Sequence, residues 1–137
     1  MSGEGGRDTV GLGDHAFGAD VIDSGDGIAI VVVRGDADLH TAHELRSSIA
    51  DAIDGGATSL VVDLAEATFI DSMTLGVLLG AVKRLRPVGG RVSVVCTDPN
   101  IRRIFEITLL DRVFSLQESR EAALAEAEAA QSRPATA

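Results

Sequence analysis

Two short stretches concentrate the side chains that could do chemistry: Gly35-Asp-Ala-Asp38, running on to Thr41, and Phe69-Ile-Asp71-Ser72-Met73-Thr74. Each follows an apolar β-branched run and each opens a helical pattern. A serine at a helix start can carry a phosphate, because the unpaired N–H groups and the helix dipole there favour added negative charge. If the two preceding strands are neighbours, Asp38, Thr41, Asp71 and Ser72 share one surface. A dianion on Ser72 beside Asp71 then changes that surface's field sharply, which is the physics of a binding switch. The same residues have a plainer use, since Asp and Ser are preferred caps and either serves a helix beginning at Met73. The two uses are compatible. Thr74 offers a second hydroxyl on the same stretch, ranked below Ser72 as an acceptor.

Catalysis is a weaker reading. Ser72 lacks the glycines of a G-x-S-x-G elbow, and no His stands where it would act as the base. Gly11-x-Gly-x-x-Ala16 has the letters of a dinucleotide fingerprint without the preceding strand or the following helix, and is read as chance. No phosphate-cradling P-loop sequence occurs. His40 and His43, with only Asp38 and Glu44 nearby, make a thin ligand set, so neither a metal nor a cofactor is expected. The lone Cys96 cannot form an internal disulfide and is read as a small buried thiol. Lys83, Arg84, Arg86 and Arg91 form one basic cluster, and Arg102 with Arg103 a second; such groups are usually solvated and can meet an acidic partner.

Composition removes other classes. Among 137 residues, 12 Lys and Arg stand against 21 Asp and Glu, a net charge of −9 that disfavours nucleic acid and anionic membrane surfaces. Aromatic residues are only 3%, with no Trp or Tyr, so base stacking is improbable and the core must be Val, Ile, Leu and Ala. The longest charge-free apolar stretch found, Leu75 to Val82, is far too short to span a membrane. The first ten residues carry no basic-then-apolar signal pattern, so a cytoplasmic location is expected.

The positioning elements follow from periodicity. A weak strand from His15 to Asp23, the turn signal Ser24-Gly-Asp-Gly27 and a β-branched run from Ile28 to Val33 predict a hairpin. Thr41-Ala-His-Glu44 matches a capping box opening a helix to about Asp54. Ser59 to Leu64 is a strand, and Met73 to Arg86 a helix with Val77, Leu78, Ala81, Val82 and Leu85 on one face. In that helix Gly76-x-x-x-Gly80 is read as a close-packing surface. Arg91 to Cys96 is a strand, Asp98-Pro99 caps a helix with Ile101, Ile104, Phe105 and Thr108 on one face, and Val113 to Leu116 is a last strand before an Ala/Glu-rich helix from Glu118 to Ala130. The expected class is α/β: one domain over residues 14–130, a mixed, mostly parallel sheet of about five strands and about four helices, with flexible tails at 1–13 and 131–137. Whether helices cover both faces of the sheet stays open.

The order Gly35-Asp-Ala-Asp38, Thr41-Ala, Val-Asp63-Leu, then Phe69-Ile-Asp71-Ser72-x-x-Leu75-Gly76-Val-Leu-Leu-Gly80 resembles the STAS domain of anti-sigma factor antagonists. The likeness continues through Gly89-Gly90 and Asn100-Ile-Arg-Arg-Ile-Phe105 and covers about Ala16 to Ala130. It implies a protein, not an enzyme, that binds an anti-sigma factor serine kinase and so frees the sigma factor. It also implies that Ser72 is the phosphoacceptor, that a serine phosphatase restores binding, and that Asp38, Thr41, Asp71, Met73 and Thr74 line the partner surface. Two departures from the family pattern stand out: Met73-Thr74 replaces the frequent Ser-Gly, and Asp36-Ala37 replaces Glu-Leu. The alternative is a STAS-like accessory subunit docking on the ATPase of a membrane transporter, with Ser72 only a cap. An apolar patch around Met73, Leu75 and Val77 would serve a kinase or, as a weak homodimer, a second copy of the chain.

Overall fold

The computed structural model describes residues 17–131. The elements run β1 (Gly18–Asp23), β2 (Ile28–Ala37), α1 (Ala42–Asp54), β3 (Ser59–Ile70), α2 (Ser72–Leu85), β4 (Val92–Val95), α3 (Pro99–Ile107), β5 (Ser115–Gln117) and α4 (Arg120–Gln131). Single 3₁₀ turns follow α2 and α3, at Arg86–Val88 and Leu110–Arg112. The sheet order is β1-β2-β3-β4-β5, with β1 antiparallel to β2 and every other pair parallel, as expected of a hairpin followed by crossovers. The His15 start of the first strand, the 1–13 tail and the Gly11 to Ala16 motif lie outside the described residues. α4 runs one residue into the segment expected to be the second tail.

Both faces of the sheet are covered, which settles the question the sequence left open. On one side Val31, Val33, Leu60, Val62, Val92 and Val94 pack against Leu45 and Ile49 of α1, Leu75, Leu78 and Leu85 of α2, and Ile101 and Phe105 of α3. Phe105 meets Phe114 edge to face with ring centroids 5.6 Å apart. On the other side Ile28, Ile30, Val32, Val61 and Val95 lie under Ala123 and Ala127 of α4. The cover stops short of the edge strand β1, where Val21, level with Val31 on the first face, and Ile22, level with Ile30 on the second, stay exposed. Consecutive strand residues are therefore buried on opposite faces, and the strands read as unbroken apolar runs.

Polar groups fasten α4. Arg120 donates from Nε and Nη2 to Oδ2 of the buried Asp63 at 3.0 and 2.9 Å, while the Ala65 N–H donates to its other oxygen at 2.9 Å. Glu126 accepts from the hydroxyls of Ser93 at 3.2 Å and Ser115 at 2.9 Å. A buried carboxylate needs such partners, because ionised oxygen without them is strongly disfavoured away from water.

The strands β2 and β3 are longer than expected. Between Val32↔Asp63 and Arg34↔Glu66, and again between Gly35↔Ala67 and Asp36↔Phe69, β3 supplies one residue more than β2. These two bulges carry the pairing four residues past Val33 and six past Leu64 while breaking the alternation of side chains. Gly35, opposite the second bulge, has φ +80°, a conformation open to glycine at little cost.

Candidate functional site

Because β2 and β3 are parallel and in register to their ends, with Ala37 beside Ile70, the segments that leave them emerge side by side. The first is Asp38 to Thr41; the second is Asp71 leading directly into α2. Asp38, Thr41, Asp71 and Ser72 thus share one end of the sheet, as expected if the two strands are neighbours.

Asp71 is the cap of α2. Its backbone is extended (φ −123°, ψ −176°) and Oδ1 accepts the Thr74 N–H at 3.0 Å. Ser72 is consequently the first residue inside the helix rather than the cap. It is exposed, and its hydroxyl makes no hydrogen bond to any described residue. The N–H groups of Ser72 and Met73 also find no partner among the described residues, so two donors stand beside the hydroxyl at the positive end of the helix. A serine nucleophile requires a base within hydrogen-bond reach; the Ser72 hydroxyl has none among the described residues.

The Asp38 segment is wound tightly on itself. Asp38 Oδ1 accepts the N–H groups of His40 at 3.0 Å and Thr41 at 3.2 Å, and the Asp38 N–H donates to Thr41 Oγ1 at 2.9 Å. The Thr41 hydroxyl lies 3.1 Å from the Asp36 carbonyl, which can take its single proton. The expected capping box is therefore not formed. Thr41 already has near-helical dihedrals (φ −105°, ψ −5°) and makes no side-chain cap bond to the helix, while the Asp38 carboxylate holds the turn that precedes it. Thr41 is a half-buried brace for the loop.

Two other expectations are corrected. Thr74 is 0% exposed, and its hydroxyl donates to the Ala37 carbonyl at 2.8 Å. It stitches the start of α2 to the end of β2 and presents neither a contact surface nor an accessible phosphoacceptor. Of the apolar patch expected around Met73, Leu75 and Val77, only Met73 is exposed, at 43%; the other two are in the core. Phe69 at 48% and Leu39 at 59% complete the apolar surface of this edge instead. Phe69 escaped sequence reasoning as a surface residue because the bulge at Thr68, whose hydroxyl holds Asp36 Oδ1 at 2.5 Å, turns two consecutive side chains outward. Leu39 carried a signal in hindsight: an apolar residue between Asp38 and His40 inside a polar turn has no core to face.

Gly76 and Gly80 do not mediate close packing. A Cβ built on either meets nothing within 4 Å, and both border an open groove between α1 and α2 with Ile49, Val77 and Ala81.

The comparisons with known proteins agree with this geometry. A family model described as the STAS domain matches residues 21–123. The chain belongs to the STAS domain family. Within it, the chain groups with the anti-sigma factor antagonists. An anti-sigma F factor antagonist of Paenibacillus polymyxa is 30% identical over 103 residues, 74% of this chain and 88% of that one. BtrV of Bordetella bronchiseptica, whose name places it in the same group, is 34% identical over 76% of this chain and 90% of its own. Among solved structures, an anti-sigma factor antagonist from Mycobacterium paratuberculosis superposes with a TM-score of 0.76 at 30% identity, covering 85% of this chain and 97% of that chain. No helix of the described residues is long and apolar enough to cross a membrane.

Proposed function

We propose that this STAS domain is a partner-switching regulator. In its unphosphorylated form it binds an anti-sigma factor with serine kinase activity through the Asp38 to Thr41 loop and the first turn of α2. That binding releases the sigma factor, transfer of phosphate to Ser72 ends it, and a serine phosphatase restores it. The observation that carries the reading is the placement of Ser72: an exposed hydroxyl with no partner among the described residues, one residue inside a helix whose cap is the neighbouring Asp71. The relatives' names as anti-sigma factor antagonists support the same direction.

The electrostatic logic is simple. The edge offers exposed apolar area on Leu39, Phe69 and Met73 for a partner to cover. A phosphate at its centre adds about −1.5 to −2 charge next to Asp71, and a dianion must be desolvated before a partner can close over it. The free N–H groups of the first helical turn receive the phosphate without disturbing the fold, so the modification changes binding and not stability. Met73, beside the acceptor where the family often has a small residue, bears on which kinase docks.

Calorimetric titration of the anti-sigma kinase tests the reading. Ser72→Asp is expected to weaken binding about tenfold or more, in line with the cost of a misplaced charge at an interface. Ser72→Ala is expected to bind as wild type does and to stay bound when ATP is added. A Ser72→Asp variant that binds the kinase as tightly as wild type would sink the switch.

A further inference from the structure

The opposite edge of the sheet holds a second feature, and switching at Ser72 makes no use of it. A cavity of about 440 Å³ opens where the 3₁₀ turn after α2, the start of β4, the turn at Leu110–Arg112 and the start of β5 meet, with Glu126 of α4 at one side. Arg91, at its wall, accepts the Leu60 N–H through its carbonyl at the beginning of β3, whereas Ser72 follows that strand's far end.

Three arginines are among the residues that line this one cavity: Arg86, Arg91 and Arg112. That is a quarter of the 12 basic residues in a chain of net charge −9. Asp111 and Glu126 line it too, so three positive residues against two negative leave a formal charge of +1, in a chain whose overall charge is negative. Glu126 is occupied by the Ser93 and Ser115 hydroxyls and reaches Arg91 only at 3.9 Å. Asp111 makes no ion pair with a described residue, nor do Arg86 and Arg112. Like charges brought together without partners repel, and an anion that bridges them removes the repulsion. Guanidinium forks match phosphate oxygens two at a time, and three of them suit a dianion with three free oxygens better than a carboxylate with two. Val92, Val113 and Phe114 line the same space, which is far larger than a phosphate ion alone.

We propose that this cavity binds a small organic phosphate monoester, its phosphate held by Arg86, Arg91 and Arg112 and its apolar part lying against the exposed Val113. The site is independent of Ser72 and of the partner that reads it.

Amide chemical-shift titration of the full chain at low salt tests this, with phenyl phosphate, inorganic phosphate and benzoate as probes. Phenyl phosphate is expected to give saturable shifts at Gly90–Val92 and at Asp111–Ser115, and to bind at least threefold tighter than inorganic phosphate or benzoate. Arg86→Gln with Arg112→Gln, both at exposed residues without ion pairs, is expected to weaken binding about tenfold while the other amide shifts stay in place. Each single change gives a smaller loss, and Ser72→Ala gives none. The proposal is overturned by any of three results: no saturable shift, shifts that persist unchanged in the double variant, or benzoate binding as tightly as phenyl phosphate.

Discussion

Replacing Thr74 separates its two contributions. The hydroxyl is fully buried and donates to the Ala37 carbonyl at 2.8 Å across the junction of α2 and β2. Thr74→Val keeps the shape and removes the donor, so a buried carbonyl loses this partner. The net worth of one hydrogen bond plus that desolvation sets the loss at about 1–2 kcal/mol. Thr74→Ser keeps the donor and deletes one buried methyl, a loss of about 1 kcal/mol. Thr74→Ala combines both and should cost about 2–3 kcal/mol. With no Trp or Tyr in the chain, the readout is urea unfolding followed by far-ultraviolet circular dichroism. A Thr74→Val midpoint within error of wild type, with unchanged slope, would show that the α2 to β2 stitch contributes nothing and that the edge is held otherwise.

Three further outcomes follow from the same coordinates. Gly90→Ala places a Cβ 1.8 Å from the Thr58 carbonyl oxygen and 3.0 Å from the Leu85 Cβ, so backbone must move; a loss of about 2–4 kcal/mol is expected in the same unfolding assay. Gly80→Ala meets open space in a helix interior and should stabilise by about 0.5–1 kcal/mol, seen as a higher melting temperature; a loss instead would mean the groove is closed in solution. Burial pushes the Cys96 thiol above its ordinary range, against a smaller opposing pull from Arg102. Because the folded chain holds that proton more tightly than the unfolded one, the Cys96 contribution to stability is intact below the ordinary thiol pKa and is lost as pH rises through the folded value. Alkylation of native protein by iodoacetamide at pH 8 should be far slower than that of the urea-unfolded chain, and equal rates would contradict the burial.

Most of the architecture was legible because strands and helices here obey simple periods. The run Ile28 to Val33 reads as fully buried, and in the structure its alternate side chains join two cores, one shared with α1, α2 and α3 and the other with α4. Asp71 and Asp98 could be read as helix starts because capping is local chemistry, and both carboxylates do accept first-turn N–H groups. Thr41 misled for the opposite reason. The letters of a capping box were present, but Asp38, three residues earlier, had already taken the Thr41 N–H that Glu44 would have accepted, and the Thr41 hydroxyl was turned back to the loop. The strand ends beyond Val33 and Leu64 were hidden by bulges, which break alternation without leaving a compositional mark apart from Gly35. The contacts of Asp63 with Arg120 join residues 57 apart, and no local pattern announces such a pair. What the sequence did not show at this end of the sheet is depth: Thr74 and Leu75 turn inward because α2 presents that face to the sheet, leaving Met73 outside.

The central claim rests on one hydroxyl. Peptide mass spectrometry of the protein isolated from its native cells, under growth conditions that do and do not call for the sigma factor, measures phosphate occupancy on the Ser72-bearing peptide. The predicted result is partial occupancy on Ser72, changing between conditions, with none on the buried Thr74. Absence of phosphate from Ser72 under every condition, or its presence on another residue of the same peptide, would contradict the account.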